Sequence, residues 1–452
     1  CICAGLRRVM IAKLNALIRG NSDEAEVLRG AAIALVLRGL SGALAFALNV
    51  VIARALGAEG AGLYFFSLSV ITILSVATRF GLDNSMLRFT SASASVGDWA
   101  KVRGVYQMGM RMAGLASLGT AALLAGLAPF GAVWLWQDPE LGMVMAVMAP
   151  SILGLAMMFL GAESLKGLKK IAPAVMVSSL IYPVIAILLV WPLAQRFGPV
   201  GAAIAYSLSV SGAALVGYAL WRRYTAPHRA IAAQFDRNEL MASARPLWTM
   251  SLITRAAMPW APLLILGFFS PAQDVGVYGA ATRIAALVTL LLISVNTVIS
   301  PKFSELYTKG DLEGLGRIAR QFARLITLAS SPVLLVLIFA GDKVMAVFGP
   351  EFTRAGTALA ILAAGQAVNA MTGSAGALLM MTGHERELRN ASIIAGALVV
   401  GLSLALIPIY SLIGAAIATA TSVAAMNLIS LVLISKKLGI SAAPWSLGER
   451  AA

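Results

Sequence analysis

Five arginines interrupt long apolar stretches of this chain: Arg38, Arg111, Arg255, Arg283 and Arg324. An ionised side chain in hydrocarbon is costly, so each is a candidate for function. Depth separates them. Arg38 lies eight residues past Gly30 and Arg255 seven past Trp248, about 10–12 Å at the helical rise per residue. Arg283 lies six residues past Val277, approaching from the opposite side. Arg111 and Arg324 are each six residues from an inner end, where a long stem lets the guanidinium reach the headgroups. Snorkelling is also the competing reading for the deeper three.

The neighbours of the deep arginines are polar or small. Arg38, Ser41, Gly42, Ala45 and Asn49 share one helical face, as do Ser251, Arg255, Pro259 and Pro262. Thr282, Thr289 and Asn296 recur every seven residues beside Arg283, and Gln366, Asn369 and Gly373 form a similar stripe. Interhelical packing gathers the same residue types, and the Gln366 stripe reads best that way. A cavity lined by arginines with no carboxylate at their depth attracts an anion. The guanidinium fork donates to phosphate oxygens two at a time. Arg38, Arg255, Arg283, Asn49 and Asn296 are therefore the candidate binding residues for an anionic ligand. Pro259 and Pro262 are candidate hinges, since each removes a helical hydrogen bond, to the carbonyls of Arg255 and Met258. Asp83 and Glu163 read as inner-end acids, with Asp83 a structural partner of Arg79 or Arg88.

Catalysis finds little support. His228 and His384 fall in hydrophilic connectors and read as solvated. Cys1 and Cys3 sit in the N-terminal tail and build neither a disulfide framework nor a metal cluster. No metal-ligand spacing, phosphate loop or carboxylate pair is present, so no catalytic residue, metal or cofactor is expected.

The elements that must position these residues are membrane helices. The chain has 452 residues, 59% apolar and 12% charged, against about 25% charged in soluble domains. Twelve apolar stretches are each near the length needed to cross hydrocarbon: 30–53, 63–80, 105–127, 141–161, 172–192, 200–220, 248–269, 277–298, 318–340, 356–380, 391–410 and 413–434. Because lipid cannot satisfy an open backbone, the fold class is all-α integral membrane protein. The net charge of +15 is patterned. With the N-terminus inside, 26 of the 35 Lys and Arg fall in inner segments and four in outer loops. That bias places both termini in the cytoplasm and argues against nucleic-acid binding. Residues 82–104 and 299–317 read either as interfacial helices on the inner leaflet or as solvated connectors. Residues 10–20 read either as a surface helix or as a tail without structure, and Met10 is a candidate start.

The spans form a direct repeat. Gly201-Ala202-Ala203-Ile204-Ala205 recurs from Gly414, an offset of 213, and Gly62-Leu63-Tyr64 recurs as Gly276-Val277-Tyr278, an offset of 214. The expected organisation is a tail (1–29), a six-helix bundle (30–221), a cytoplasmic linker (222–245), a second six-helix bundle (246–435) and a cytoplasmic tail (436–452). Two similar halves around a shared site suit a transporter that rocks between them.

Ala53-Arg54-Ala55-Leu56-Gly57, Gly62-Leu63-Tyr64, Gly81-Leu82-Asp83 and Arg88-Phe89 resemble the opening of the polysaccharide transport, or oligosaccharide flippase, family. Val275-Gly276-Val277-Tyr278, Ala281-Thr282-Arg283 and Ser300-Pro301 resemble its second half. The resemblance implies a superfamily shared with multidrug exporters and lipid II flippases, and two six-helix bundles in a V. It places spans 1, 2, 7 and 8 around a central cavity, hence around Arg38, Arg255 and Arg283. It implies movement of undecaprenyl-diphosphate-linked sugars across the bacterial inner membrane. Expected partners are the lipid-linked oligosaccharide, membrane lipid and polysaccharide polymerase or assembly proteins. One departure stands out: many relatives carry an acid near Trp260 or Ala261, and this chain has none there. The alternatives are a cation-coupled exporter of small amphiphiles, and a membrane enzyme or scaffold of polysaccharide assembly.

Overall fold

In the computed structural model, residues 23–136 and 138–442 are described, and they form helices with no strand among them. The side chain of Arg38 and the surface-helix expectation for residues 10–20 lie outside what is described. The helices are α1 (Asp23–Thr78), α2 (Leu82–Ser95), α3 (Trp99–Trp136), α4 (Pro139–Met148), α5 (Ser151–Gly167), α6 (Ile171–Val175) and α7 (Tyr182–Tyr224). The expected linker turns helical from Arg237, where α8 (Arg237–Ser251) starts; then come α9 (Met258–Phe269), α10 (Ala272–Thr308), α11 (Leu312–Phe339), α12 (Gly341–Met345), α13 (Gly356–Thr372), α14 (Ala375–Met381) and α15 (Glu385–Leu438). Among the described residues, eight helical runs are long and apolar enough to cross a membrane.

Three expected outer loops are single bends inside a long helix. α1 turns at Gly57 (φ 68°), α7 at Gly198 (φ 56°) and α15 at Ser411 (φ 45°). Glycine takes left-handed backbone without a Cβ penalty, whereas serine is strained there. Ser411 is held by its side chain: its Oγ donates to Asp274 Oδ2 at 2.7 Å and meets Ser270 Oγ at 2.8 Å. Gly198 and Ser411 stand at the offset of the internal repeat. Just beyond each bend the chain folds tightly on itself in the same way. A Cβ at Gly201 falls 2.0 Å from the Leu193 carbonyl oxygen, and one at Gly414 falls 2.4 Å from that of Leu406.

The halves meet where α1 crosses α10. A Cβ on Gly62 falls 1.8 Å from the carbonyl oxygen of Ala272, and one on Gly276 falls 2.0 Å from that of Ala58. Ala58 and Gly62 are the repeat counterparts of Ala272 and Gly276, so the crossing is pseudo-symmetric. Small residues let the two backbones touch. Near the Gly57 bend, polar contacts also join the halves. Arg54 Nε donates to the Val347 carbonyl at 2.9 Å, and Glu351 accepts from the Ala58 amide, freed by the Gly57 bend, at 2.8 Å.

Residues 82–95 form the helix α2. α2 packs beside α3 and α5: a Cβ on Gly109 falls 2.4 Å from Met86 Sδ, and one on Gly167 falls 2.7 Å from Thr90. Leu82, Met86 and Thr90, at four-residue spacing, turn one buried face to these neighbours. In the second half α10 runs unbroken to Thr308, and α11 starts at Leu312. Residues 299–317, read either as an interfacial helix or as a solvated connector, are thus the end of one long helix, a short turn and the start of the next.

The linker is docked. His228 stacks on Trp99 with ring centroids 3.8 Å apart, so it is not simply solvated. Arg103 donates to the carbonyls of His228, Arg229 and Ile231. Gln234 and Lys343 remain exposed, on the inner and outer sides of the charge-based topology. With Cys1 and Cys3 replaced, a cysteine at Lys343 is expected to react with an impermeant thiol reagent in intact cells. One at Gln234 is expected to react only after permeabilisation. The reverse pattern inverts the topology.

Candidate transport site

Pro259 has no N–H, so the carbonyl of Arg255 loses its helical donor. The chain widens into a π-helical segment, Leu252–Ala257, directly before α9. Widened turns of this kind recur at functional sites. Arg255 projects from this segment, its side chain 41% exposed. Its neighbour is a carboxylate: Arg255 Nη1 lies 3.6 Å from Asp83 Oδ1.

Asp83 is deep. α1 ends at Thr78, and Phe80 (φ 51°) and Gly81 (φ 73°) turn the chain into α2. Thr78 Oγ1 accepts from Ser117 Oγ at 2.9 Å, which sets this break beside the middle of α3. Asp83 is 1% exposed and Arg79 3%. Arg79 Nη1 donates to Asp83 Oδ1 at 2.6 Å, and its guanidinium lies 4.8 Å from the centroid of Phe159. The pairing expected for Asp83 is with Arg79; Arg88 donates to Ser243 instead. The expectation of arginines without a carboxylate at their depth is corrected for Arg255. The acid comes from the first turn of α2, directly past the break at Gly81. One carboxylate thus faces two guanidiniums, one from each half, and the cluster keeps a net positive charge.

Arg283 has different surroundings. Its guanidinium lies 3.9 Å from the centroid of Phe65 and 5.7 Å from that of Trp260. Its Nη1 donates to the Gly279 carbonyl at 2.6 Å, and no carboxylate pairs with it among the described residues. Behind it Tyr64 and Tyr182 each meet Tyr206 edge to face. Cation–aromatic contact stabilises the charge without neutralising it.

The remaining candidates divide. Asn49 Nδ2 donates to its own helix at Ala45, and Gly42 packs on Leu290, so that part of the α1 stripe is packing. Thr289 Oγ1 donates to Gln366 Oε1 at 3.1 Å, tying α10 to α13. Asn296 Oδ1 is buried and has no hydrogen-bond partner among the described residues. Arg111 and Arg324 are exposed. Pro262 is buried within α9.

Near the break after Thr78 the halves meet at Trp248, whose Nε1 donates to the Ala77 carbonyl at 3.0 Å. A Cβ on Gly81 falls 2.5 Å from both the Ala244 oxygen and the Trp248 nitrogen, so α8 lies against the α1–α2 break. Sequence reasoning missed Trp248, Phe65, Trp260 and the depth of Asp83. The available signal for Asp83 was Phe80-Gly81, a break followed by renewed helical spacing.

Comparison with known proteins agrees with this architecture. Residues 27–307 match the model of a family described as polysaccharide biosynthesis protein. A probable flippase, AglR, of Haloferax volcanii is 28% identical over 45% of this chain, and the match spans 42% of that protein's length. Stage V sporulation protein B of Bacillus subtilis is 24% identical over 92% of this chain and 84% of its own. Among solved structures, the lipid II flippase MurJ in an inward closed conformation superposes with a TM-score of 0.72 at 14% identity, over 88% of this chain and 87% of that one. An inward-facing multidrug resistance MATE family transporter of the MOP superfamily gives the same TM-score at 14% identity, over 90% of this chain and 98% of that one. At these identities the structures speak for the fold.

Proposed function

Since the chain belongs to the polysaccharide biosynthesis protein family, we propose that it is a flippase. Its substrate in this reading is an undecaprenyl-diphosphate-linked oligosaccharide, moved across a bacterial inner membrane by alternating access. The observation that carries the reading is Arg283, a cation held by aromatic rings between the halves with no paired carboxylate among the described residues. A desolvated diphosphate supplies the missing negative charge, and its oxygens accept the fork of donors. Arg255 and Arg38 meet the headgroup nearer the cytoplasm, and Arg283 meets it further out. Asn296, whose Oδ1 has no partner among the described residues, offers a polar contact to the sugars. Pro259 and Pro262 let the seventh span bend as the halves rock.

The Asp83 cluster fits this cycle. When the inner contact opens, Arg255 leaves Asp83, and Arg79 still neutralises the carboxylate. A coupling cation, as in the exporter alternative, finds that carboxylate already matched by two guanidiniums. In this reading the 30–221 and 246–435 bundles rock about the shared site, both termini lie in the cytoplasm, and polymerase or assembly proteins receive the product outside.

The test is complementation of surface polysaccharide in a flippase-null strain, with membrane levels matched. Arg283→Ala is expected to lower flux about tenfold or more, the scale of one charge-assisted hydrogen bond of about 1.5–3 kcal/mol. Arg283→Lys keeps the charge but loses the fork, so it retains more. Arg111→Ala is expected to transport normally. Full polysaccharide from a well-expressed Arg283→Ala protein removes the basis of the reading.

A further inference from the structure

Four inner helix ends of the first half converge on a cavity of about 450 Å³. It is framed by Ser91 and Ser95 of α2, Trp99 of α3, Lys169 and Lys170 after α5, and Tyr224 at the end of α7. The volume is within the range of small-ligand clefts, about 300–1,000 Å³. No Asp or Glu lines it. Of the acids close to its lining in the chain, Glu163 is taken by Lys166 at 2.7 Å and Asp98 by Lys101 at 3.6 Å. We propose that this cavity binds a phosphate group, with Lys169 and Lys170 as its cationic ligands and Ser91 as a hydroxyl donor.

Three observations support a built site over a solvated lysine pair. The helix end beneath it consumes no lysine for capping. The amides of Leu168, Lys169 and Lys170 already donate to the carbonyls of Ser164, Lys166 and Leu165. The α7 end is likewise closed by the Thr225 amide and hydroxyl, both on the Trp221 carbonyl. Neither ammonium group is used in these caps or in an ion pair among the described residues, and Lys170 Nζ lies by the Tyr224 ring. Second, Lys169 holds a left-handed backbone (φ 60°), which a non-glycine residue adopts at a cost. That turn sets two consecutive lysines at one rim. Third, the walls are fixed. Lys170 Nζ lies 5.4 Å from the Tyr224 ring centroid, and Trp99 is pinned by its stack on His228. Lysine beside Trp and Tyr at inner helix ends is the chemistry of a lipid headgroup contact. A free phosphate offers the same oxygens.

The experiment distinguishes the two sources and is independent of transport. The protein is placed in phosphatidylcholine nanodiscs with or without phosphatidylglycerol, and retained lipid is measured by native mass spectrometry. Melting is followed in parallel against inorganic phosphate. For a headgroup site, wild type retains phosphatidylglycerol, and the Lys169→Gln/Lys170→Gln protein loses about thirtyfold, the scale of two interfacial lysines at about 1 kcal/mol each. For a soluble phosphate, inorganic phosphate raises the melting temperature of wild type and not of the variant. Lys343→Gln, on the opposite side, is expected to behave as wild type in both arms. If neither ligand separates wild type from the double variant, the site does not exist.

Discussion

Valine at Gly62 or at Gly276 is expected to abolish transport and to lower the melting temperature of the purified protein sharply. The added Cβ alone falls 1.8 Å from a carbonyl oxygen at Gly62 and 2.0 Å from one at Gly276. Both obstacles are backbone, so no side chain can swing away. Overpacking a well-filled core costs about 1–3 kcal/mol. Here the only relief is to part α1 from α10, which undoes the crossing that joins the halves. Alanine is expected to act in the same direction, less severely. Gly401 sits in α15 with nothing within 4 Å of an added Cβ. Gly401→Ala should therefore be neutral or gain up to about 1 kcal/mol from reduced chain entropy. Alanine variants at Gly62 and Gly276 that melt and transport like Gly401→Ala would refute the clasp.

That clasp was visible in the sequence as a repeat but not as a contact. Gly62-Leu63-Tyr64 and Gly276-Val277-Tyr278 mark equivalent places, and duplication alone does not say that equivalents touch. They touch because the pseudo-two-fold axis passes between them, which is a property of how two bundles dock. The helical class was legible because it depends on composition, and the opening before Pro259 because it depends on local bonding; Pro262 lies inside the unbroken α9. Pro259 had to release the Arg255 carbonyl, and the π-helical segment is how the chain absorbs it. The depth of Asp83 was not legible from hydropathy. Residues 82–95 are polar enough to read as a connector, yet hydroxyls and small side chains at helical spacing let α2 pack between α3 and α5. The environment of Arg283 also needed the fold, since Phe65 and Trp260 come from two other spans.

The buried ion cluster separates a structural acid from a functional base. Asp83→Ala is expected to cost about 3–5 kcal/mol, because it strands the charge of Arg79 in a buried site. Arg79 is 3% exposed and its guanidinium rests on Phe159, so water cannot readily replace the lost carboxylate. Removing both charges together, as Asp83→Leu with Arg79→Met, is expected to recover most of that loss, since a packed apolar pair needs no desolvated ions. Asp83→Asn keeps one acceptor for Arg79 and should fall between. Arg255→Ala behaves differently. Its side chain is 41% exposed and 3.6 Å from Asp83, and such a contact is worth only about 0–1 kcal/mol. Its melting should stay near wild type. Its transport at matched protein level should nonetheless fall, because the inner contact and an anion ligand are lost together. The measurements are melting of purified protein and polysaccharide export on the same variants. An Arg255→Ala protein as unstable as Asp83→Ala makes the cluster a single structural unit. An Asp83→Ala protein that melts like wild type means that Arg79 finds solvent, and the cluster holds nothing in place.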